Sequence, residues 1–249
     1  MPESSKNAVE GGSPPWTVDL LRLSAFPIEP PELAEPDWWE GIVGEESPDF
    51  QKKGETFAVE SKFAGGKIRF GGDFNRLDWL FSPSPGEEDS PRSIDDVEGS
   101  FKSLAEQWFA VAPEIKRLAF GCILLQPVDS PADGYGLLDG YLPAVKVDAE
   151  GSRDLFYQIN RPRPSAVAEG IRVNRLSKWA VRTSKLVAIS GGEDLGIAGP
   201  STFSALLELD VNTVPLDGES ATLAKNDSPR LFEELMSLAW EISRNGDVP

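Results

Sequence analysis

The chain has 249 residues, 40% of them hydrophobic and 26% charged, which is typical of a folded globular protein. It contains no histidine and one cysteine, Cys122, which excludes Ser-His-Asp and Cys-His hydrolases, HExxH metalloproteases and an intramolecular disulfide. The formal charge of −17 disfavours general nucleic-acid binding without excluding it. Residues 1–15 lack a signal-peptide pattern and no apolar run could span a bilayer, so we expect a cytoplasmic protein without membrane contact.

The first half of the chain predicts a strand, a short helix, three strands and a long helix. Residues 56–63 alternate between apolar and polar side chains, and Gly65-Gly66 and Gly71-Gly72 separate them from two further short strands. Ser93 can cap the long helix. The predicted elements are strand 16–26, a short helix or packed loop within 30–48, strands 56–63, 67–70 and 74–81, and helix 94–111.

The second half predicts the same order with one additional strand. Ser130-Pro131 begins a short helix and Ser228-Pro229 begins a long one that ends before Gly246. The strands are predicted at 115–125, 155–160, 171–176, 179–189 and 203–211.

These elements predict an α+β fold with a mainly antiparallel sheet and long helices packed on one face. Runs of strands between isolated helices disfavour a doubly wound parallel sheet. We expect a disordered tail at 1–15 and a single domain at 16–249. The repeated order suggests pseudo-halves at about 16–112 and 113–249, each with strand, short helix, three strands and helix.

The charges are distributed unevenly along the chain. Residues 1–50 contain eleven acidic and two basic side chains, whereas residues 153–185 contain eight basic and two acidic ones. Arginine offers planar, permanently charged donors suited to carboxylates and phosphates. The sequence therefore predicts that Arg161, Arg163, Arg172 and Arg175, with Lys178, form one positive surface. It would face either an external acidic partner or the acidic N-terminal region of the same chain.

A nuclease site is an alternative interpretation of residues 48–62. Asp49 follows a proline, and Glu60 and Lys62 lie two residues apart on one strand face, as in PD-(D/E)xK nucleases. There, two carboxylates hold a metal ion while the lysine assists water attack. Because such short motifs arise by chance in charged sequences, a solvated strand face explains Glu60 and Lys62 better. The leading interpretation therefore includes no metal and no cofactor.

Several aromatic residues and the cysteine are assigned from their sequence context. Trp79 and Trp108 follow strand and helix periodicities, and Cys122 lies in an apolar run, so all three are predicted to be core. Trp38 and Trp39 are adjacent and cannot both face one core from a regular strand. Either one of them anchors a partner, or the loop folds back and buries both.

Five segments between Trp16 and Val211 show a family resemblance. They are residues 75–79 (NRLDW), 117–121 (RLAFG), 157–163 (YQINRPR), 174–179 (NRLSKW) and 206–211 (LLELDV). The pattern resembles a sporadically distributed family of uncharacterised bacterial proteins of similar length. The resemblance implies a bacterial intracellular accessory factor from a mobile-element or defence-related operon. It implies no activity and no catalytic residue.

Three functions follow from these observations. The leading one is a non-enzymatic binding protein that contacts an anionic partner, most simply a protein, through the sheet surface and the basic stretch. The second is a metal-dependent nuclease built on Asp49, Glu60 and Lys62. The third is a structural subunit of a complex, marked by an extended apolar surface.

Overall fold

A computed structural model describes residues 15–29, 38–45, 51–54, 56–73, 75–84, 86, 93–185, 187–190, 193–197, 200–216 and 222–247. Residues 1–14 of the predicted tail lie outside this part. The helices are α1 (Trp39–Val43), α2 (Ile94–Val111), α3 (Pro131–Tyr141) and α4 (Ser228–Asn245). The strands are β1 (Thr17–Pro27), β2 (Gln51–Lys53), β3 (Thr56–Phe63), β4 (Gly66–Gly72), β5 (Leu77–Pro83), β6 (Ile115–Val128), β7 (Phe156–Asn160), β8 (Arg163–Pro164), β9 (Arg172–Ser184), β10 (Val187–Ser190), β11 (Glu193–Ile197) and β12 (Thr202–Thr213).

One large antiparallel sheet forms the centre of the fold. Its strands follow the order β2-β3-β4-β5-β1-β6-β12-β9-β7, with β8 also paired to β9, while β10 and β11 form a separate hairpin. All described pairs are antiparallel. The predicted α+β class with a mainly antiparallel sheet is confirmed.

The two halves of the chain occupy the two halves of this sheet. β1 and β6 lie side by side at the centre, and each is followed in sequence by a short helix. In each half the last strand, β5 or β12, returns to pair with the first, and a long helix then follows it. The order of elements is thus the same in both halves, apart from the short additional strands.

Strand alternation assigns one side of the sheet to the helices, and this side forms the core. Leu23 on β1 is opposite Trp79 on β5 and Phe120 on β6, and all three are fully buried. α2 and α4 pack on these residues, because Trp108 and Phe232 contact Trp79 and Phe120 respectively. The predicted packing of the long helices on one face is confirmed.

The two short helices lie on the same side. Trp39 of α1 stacks on Trp79 with ring centroids 5.5 Å apart. Gly134 of α3 lies against Val181, and a Cβ on this glycine would come within 3.0 Å of the valine side chain. All four helices of the described residues therefore cover the same side of the sheet, which we name the helix side.

The structure differs from the predicted strands mainly in β9. The sequence predicted two strands, interrupted at Ser177 and Lys178, whereas β9 runs unbroken from Arg172 to Ser184. Ser177 is 2% exposed on the helix side, where its hydroxyl accepts a hydrogen bond from Trp179 Nε1. A polar residue in the buried series interrupts the apolar pattern without interrupting the strand.

Candidate functional site

The basic stretch 153–185 is divided between the two sides of the sheet. Arg175 is 5% exposed and faces the helix side, whereas Arg172, three residues earlier on β9, is exposed on the opposite side. Arg161 and Arg163 also lie on the helix side, since they pair with acids in and after α4. The expectation that these four arginines form one positive surface is therefore wrong, because residues an odd number apart on a strand point to opposite faces.

Arg161 is part of a buried hydrogen-bonded cluster at the C-terminal end of α4. Its Nε and Nη2 donate to Asp247 Oδ1 and Oδ2 at 2.7 and 2.9 Å, and the Tyr157 hydroxyl donates to Oδ2 at 2.7 Å. Asp247 is 4% exposed. The hydrogen bonds from Arg161 hold the pKa of Asp247 below its usual value, so this carboxylate is charged at neutral pH. The cluster fastens the chain after α4 to the edge of the sheet.

Arg163 and Arg175 extend this cluster along the helix side. Arg163 Nη1 lies 3.8 Å from Glu241 Oε2, with both side chains about 40% exposed. Burial, reinforced by the nearby charge of Arg163, lowers the pKa of Arg175. The described acids near Arg161 and Arg163 thus come from the C-terminal end of the chain, not from the acidic N-terminal region that the sequence offered as an alternative.

The other side of the sheet, which we name the open face, has no described helix packed on it. Its side chains are those that alternate with the buried residues of each strand, and Arg76 joins them by hydrogen bonds to Ser24 and Asp78. The basic members are Arg22, Lys53, Lys62, Lys67, Arg69, Arg76, Arg117, Arg172, Lys178 and Arg182. The acidic members are Asp19, Glu60, Asp78, Glu208 and Asp210.

The open face is thus positive on a strongly negative chain. Ten basic against five acidic side chains give it a formal excess of five positive charges. Because the whole chain has a charge of −17, the remainder has a formal charge of −22. Among the described residues, the open face is therefore positive although the chain as a whole is negative.

Each acidic side chain of the open face already has a basic neighbour. The pairs are Asp19–Arg182 at 3.2 Å, Glu60–Lys67 at 3.1 Å, Asp78–Arg76 at 2.8 Å, Glu208–Lys178 at 2.6 Å and Asp210–Arg22 at 4.0 Å. Five basic side chains are then left without an acidic partner among the described residues, namely Lys53, Lys62, Arg69, Arg117 and Arg172. Cations without counter-charges can bind external carboxylates or phosphates.

A chain of amide side chains orders the middle of the open face. Asn160 on β7 donates to Asn174 on β9, which donates to Asn212 on β12, each at 3.1 Å. Asn212 in turn accepts from Arg117 at 3.0 Å and donates to Asp210 at 3.0 Å. This network crosses four strands and holds the Arg117 guanidinium in one place on the open face.

A small depression lies at the centre of the open face, above Gly121 of β6. It has a volume of about 90 Å³ and is bounded by Leu20, Ile123 and Leu176 together with Arg22, Glu208 and Asp210. The Arg22 guanidinium lies over Gly121, since a Cβ on this glycine would come within 3.0 Å of Arg22 Nη2. The lining thus combines aliphatic side chains with one cation and two carboxylates.

The predicted anchor residues Trp38 and Trp39 lie on the helix side. Trp39 is fully buried, while Trp38 is half-buried with its ring 5.3 Å from that of Phe70. Trp79, Trp108 and Cys122 are at most 2% exposed, which confirms their assignment to the core. Burial raises the pKa of the Cys122 thiol, as expected of an unreactive cysteine.

The three residues of the nuclease interpretation are only partly described. Asp49 lies outside the described residues. Glu60 and Lys62 share the open face of β3, and the Glu60 carboxylate accepts from Lys67 Nζ at 3.1 Å. Within the described part, no group of three or more cysteine, aspartate or glutamate side chains is placed to hold a metal ion. The nuclease interpretation stays a prediction.

Sequence reasoning missed the open-face residues that lie outside the basic stretch 153–185. Arg22, Arg69 and Arg117 lie in strands with many apolar residues, so they do not stand out as a charge cluster. The available signal was alternation, since each lies one position from a buried residue. Which strands are neighbours, and hence that these arginines share a face, follows only from the sheet order.

Comparison with known proteins gives no family assignment. No protein-family model matches the chain, and no curated protein is similar to it in sequence. In the described part, no helix is both long and apolar enough to cross a membrane.

Proposed function

We propose that the protein is a non-enzymatic binding protein that contacts an acidic partner through the open face of its sheet. The observation that supports this most strongly is the charge balance of the face. Its five described acids are paired, and five of its ten cations have no acidic partner among the described residues. An acidic surface or segment would supply the missing counter-charges.

Part of the basic stretch belongs to this surface. Arg172, Lys178 and Arg182 lie on the open face, whereas Arg161 and Arg163 pair with acids in and after α4 and Arg175 is buried on the helix side. The proposed contact surface is therefore the open face, to which strands of both halves contribute, and not the basic stretch 153–185 as a whole. The resemblance noted in the sequence adds the proposal that the protein is an accessory factor in a bacterial defence or mobile-element setting.

The experiment measures binding of a fluorescent peptide made of five Glu-Glu-Ser repeats. The variant Lys62→Gln, Arg69→Gln, Arg172→Gln removes three of the unpaired cations from the open face. We expect it to weaken binding by at least about tenfold and to flatten the salt dependence, because each removed charge eliminates a screened attraction. Fluorescence anisotropy over a range of salt concentrations provides both quantities.

The matched control removes three exposed lysines elsewhere, as Lys116→Gln, Lys146→Gln, Lys225→Gln. Both triple variants change the net charge by the same amount. A difference in their affinities for the peptide therefore depends on where the removed charges lie. Equal losses in both variants, or no binding by the unmodified protein, would contradict the proposed contact.

A further inference from the structure

We infer that the depression above Gly121 receives an apolar side chain of the acidic partner, and that the partner is a protein segment combining carboxylates with aliphatic or aromatic residues. This inference rests on the proposed function, since it specifies what binds the open face. The side chains at the centre of the open face differ in composition from those around them.

The centre of the open face combines aliphatic side chains with two ion pairs. Leu20, Ile123, Leu125, Leu176 and Leu206 are half-buried on β1, β6, β9 and β12, and Glu208 and Asp210 lie among them, paired with Lys178 and Arg22. Of the five cations without described acidic partners, three lie on β2, β3 and β4 toward one edge of the sheet, and the other two lie on β6 and β9. Apolar side chains bordered by charged ones are the usual arrangement of a protein–protein contact surface.

The depression has the size and lining of a site for one side chain. Its volume of about 90 Å³ corresponds to roughly three waters in the liquid, or to a small aliphatic group. Leu20, Ile123 and Leu176 supply its apolar wall. Buried apolar anchors of this kind provide most of the affinity in many protein complexes.

Arg22 is placed to recognise a carboxylate beside such an anchor. Its Nη2 comes no closer than 4.0 Å to Asp210, which is too long for a hydrogen bond, and the side chain is 30% exposed although its Nε is buried. A partner carboxylate next to the anchor could therefore accept from the exposed part of the Arg22 guanidinium. The depression selects an apolar side chain, and Arg22 selects an acid adjacent to it.

The same surface is poorly suited to the two other occupants. Single-stranded nucleic acids are bound by stacking of bases on aromatic side chains, whereas the described centre is aliphatic and its one strongly exposed ring, Phe156 at 61%, lies on β7 at the edge. A second copy of this chain in a symmetric face-to-face contact would bring two positive faces together, which like-charge repulsion opposes. The charge and the aliphatic centre together favour an acidic protein.

The test compares two peptides of equal charge, five Glu-Glu-Leu repeats and five Glu-Glu-Ser repeats. We expect the unmodified protein to bind the leucine peptide about tenfold more tightly, because only that peptide can place an apolar side chain in the depression. Gly121→Ala adds a methyl group in the depression, within 3.0 Å of Arg22 Nη2. It should bring the affinity for the leucine peptide close to that for the serine peptide, and the ratio of the two affinities is the readout because a shift of Arg22 affects both peptides alike.

Gly99→Ala is the matched control, because Gly99 is exposed on α2 and a Cβ there meets nothing within 4 Å. Leu176→Thr provides a second variant if Gly121→Ala alters the fold, as judged by thermal unfolding. Threonine removes part of the apolar wall and is a residue common in strands. The variant should therefore reduce the preference for the leucine peptide in the same way.

The outcomes separate the inference from the proposed function. Equal affinity for the two peptides would overturn the apolar anchor and leave the acidic contact in place. Absence of binding to both peptides would overturn the proposed function itself. Tighter binding of a 20-nucleotide DNA strand than of the leucine peptide would assign the face to nucleic acid and overturn the inference of a protein partner.

Discussion

At the scale of single residues, Asp247 connects the C-terminal end of the described chain to the sheet. It is 4% exposed and accepts two hydrogen bonds from Arg161 and one from Tyr157. A buried carboxylate with three donors is stabilising only while all its partners remain. The same contacts explain why Arg161, whose side chain is 27% exposed, pairs within the fold despite its place in a basic stretch.

Replacing Asp247 with asparagine should destabilise the fold. The substitution removes the charge that Arg161 pairs with, so we expect a loss of about 2–3 kcal/mol in the free energy of unfolding. Chemical denaturation of the two proteins at neutral pH measures this difference. Arg163→Gln is the comparison, because both side chains of its pair with Glu241, at 3.8 Å, are more than a third exposed and the pair should contribute less than about 1 kcal/mol. Similar losses in both variants would contradict the role given to Asp247.

The pH dependence of the same variant follows from the pKa of Asp247. Its pKa in the folded protein lies below the value of 3.8 for the unperturbed group, because Arg161 stabilises the charged form. The stabilisation is therefore complete above the unfolded-state pKa and is lost as the pH falls through the folded-state pKa. The stability difference between unmodified protein and Asp247→Asn should shrink as the pH falls below about 4.

At the scale of elements, α4 is held by polar as well as apolar contacts. Glu234 lies on the buried side of this helix at 8% exposure. It accepts hydrogen bonds from the Ser165 hydroxyl at 2.5 Å and from the Ala166 backbone N–H at 2.7 Å. One helical carboxylate thus fixes the loop between β8 and β9.

Glu234→Ala should loosen that loop before it affects the rest of the fold. It leaves a backbone N–H and a hydroxyl without their acceptor, at a cost of about 2–3 kcal/mol. Hydrogen exchange should show lost protection at residues 165–171, while protection in β1 and β6 stays unchanged. Glu233→Ala on the exposed side of α4 is the control, since it removes only the surface pair with Lys102. Uniform loss of protection across the sheet would contradict this local role.

Elements with regular patterns could be predicted from the sequence. β3 alternates cleanly, and α2 repeats its apolar residues at intervals of three and four, so both were located within about one residue. The continuity of β9 was missed because Ser177 satisfies its hydroxyl within the buried face. β2, with only three exposed residues, has no apolar pattern to detect.

The candidate site was less predictable than the fold. Arg172 is exposed and Val173 is buried, as alternation between neighbours on one strand requires. The partner of Arg161 is Asp247, 86 residues away, and no local pattern indicates such a contact. Likewise, Arg117 and Arg172 share the open face only because β12 lies between β6 and β9. Clustering in sequence is therefore a poor guide to clustering on a sheet.

At the scale of the whole molecule, the open face is positive on a chain of negative net charge. Its described residues have an excess of five positive charges, whereas the whole chain has a formal charge of −17. Under the proposed function, this charge would attract an acidic partner to the open face and orient it during association. The central claim is accordingly that an acidic partner binds the open face and no other side.

Lysine acetylation with and without the Glu-Glu-Leu peptide tests this claim most directly, because the lysines are distributed over both kinds of surface. Mass spectrometry reports the modification of each lysine separately. We expect the peptide to protect Lys62, Lys67 and Lys178 on the open face and to leave Lys116, Lys146 and Lys225 as reactive as before. Protection of the second set, or equal protection of both sets, would contradict the claim.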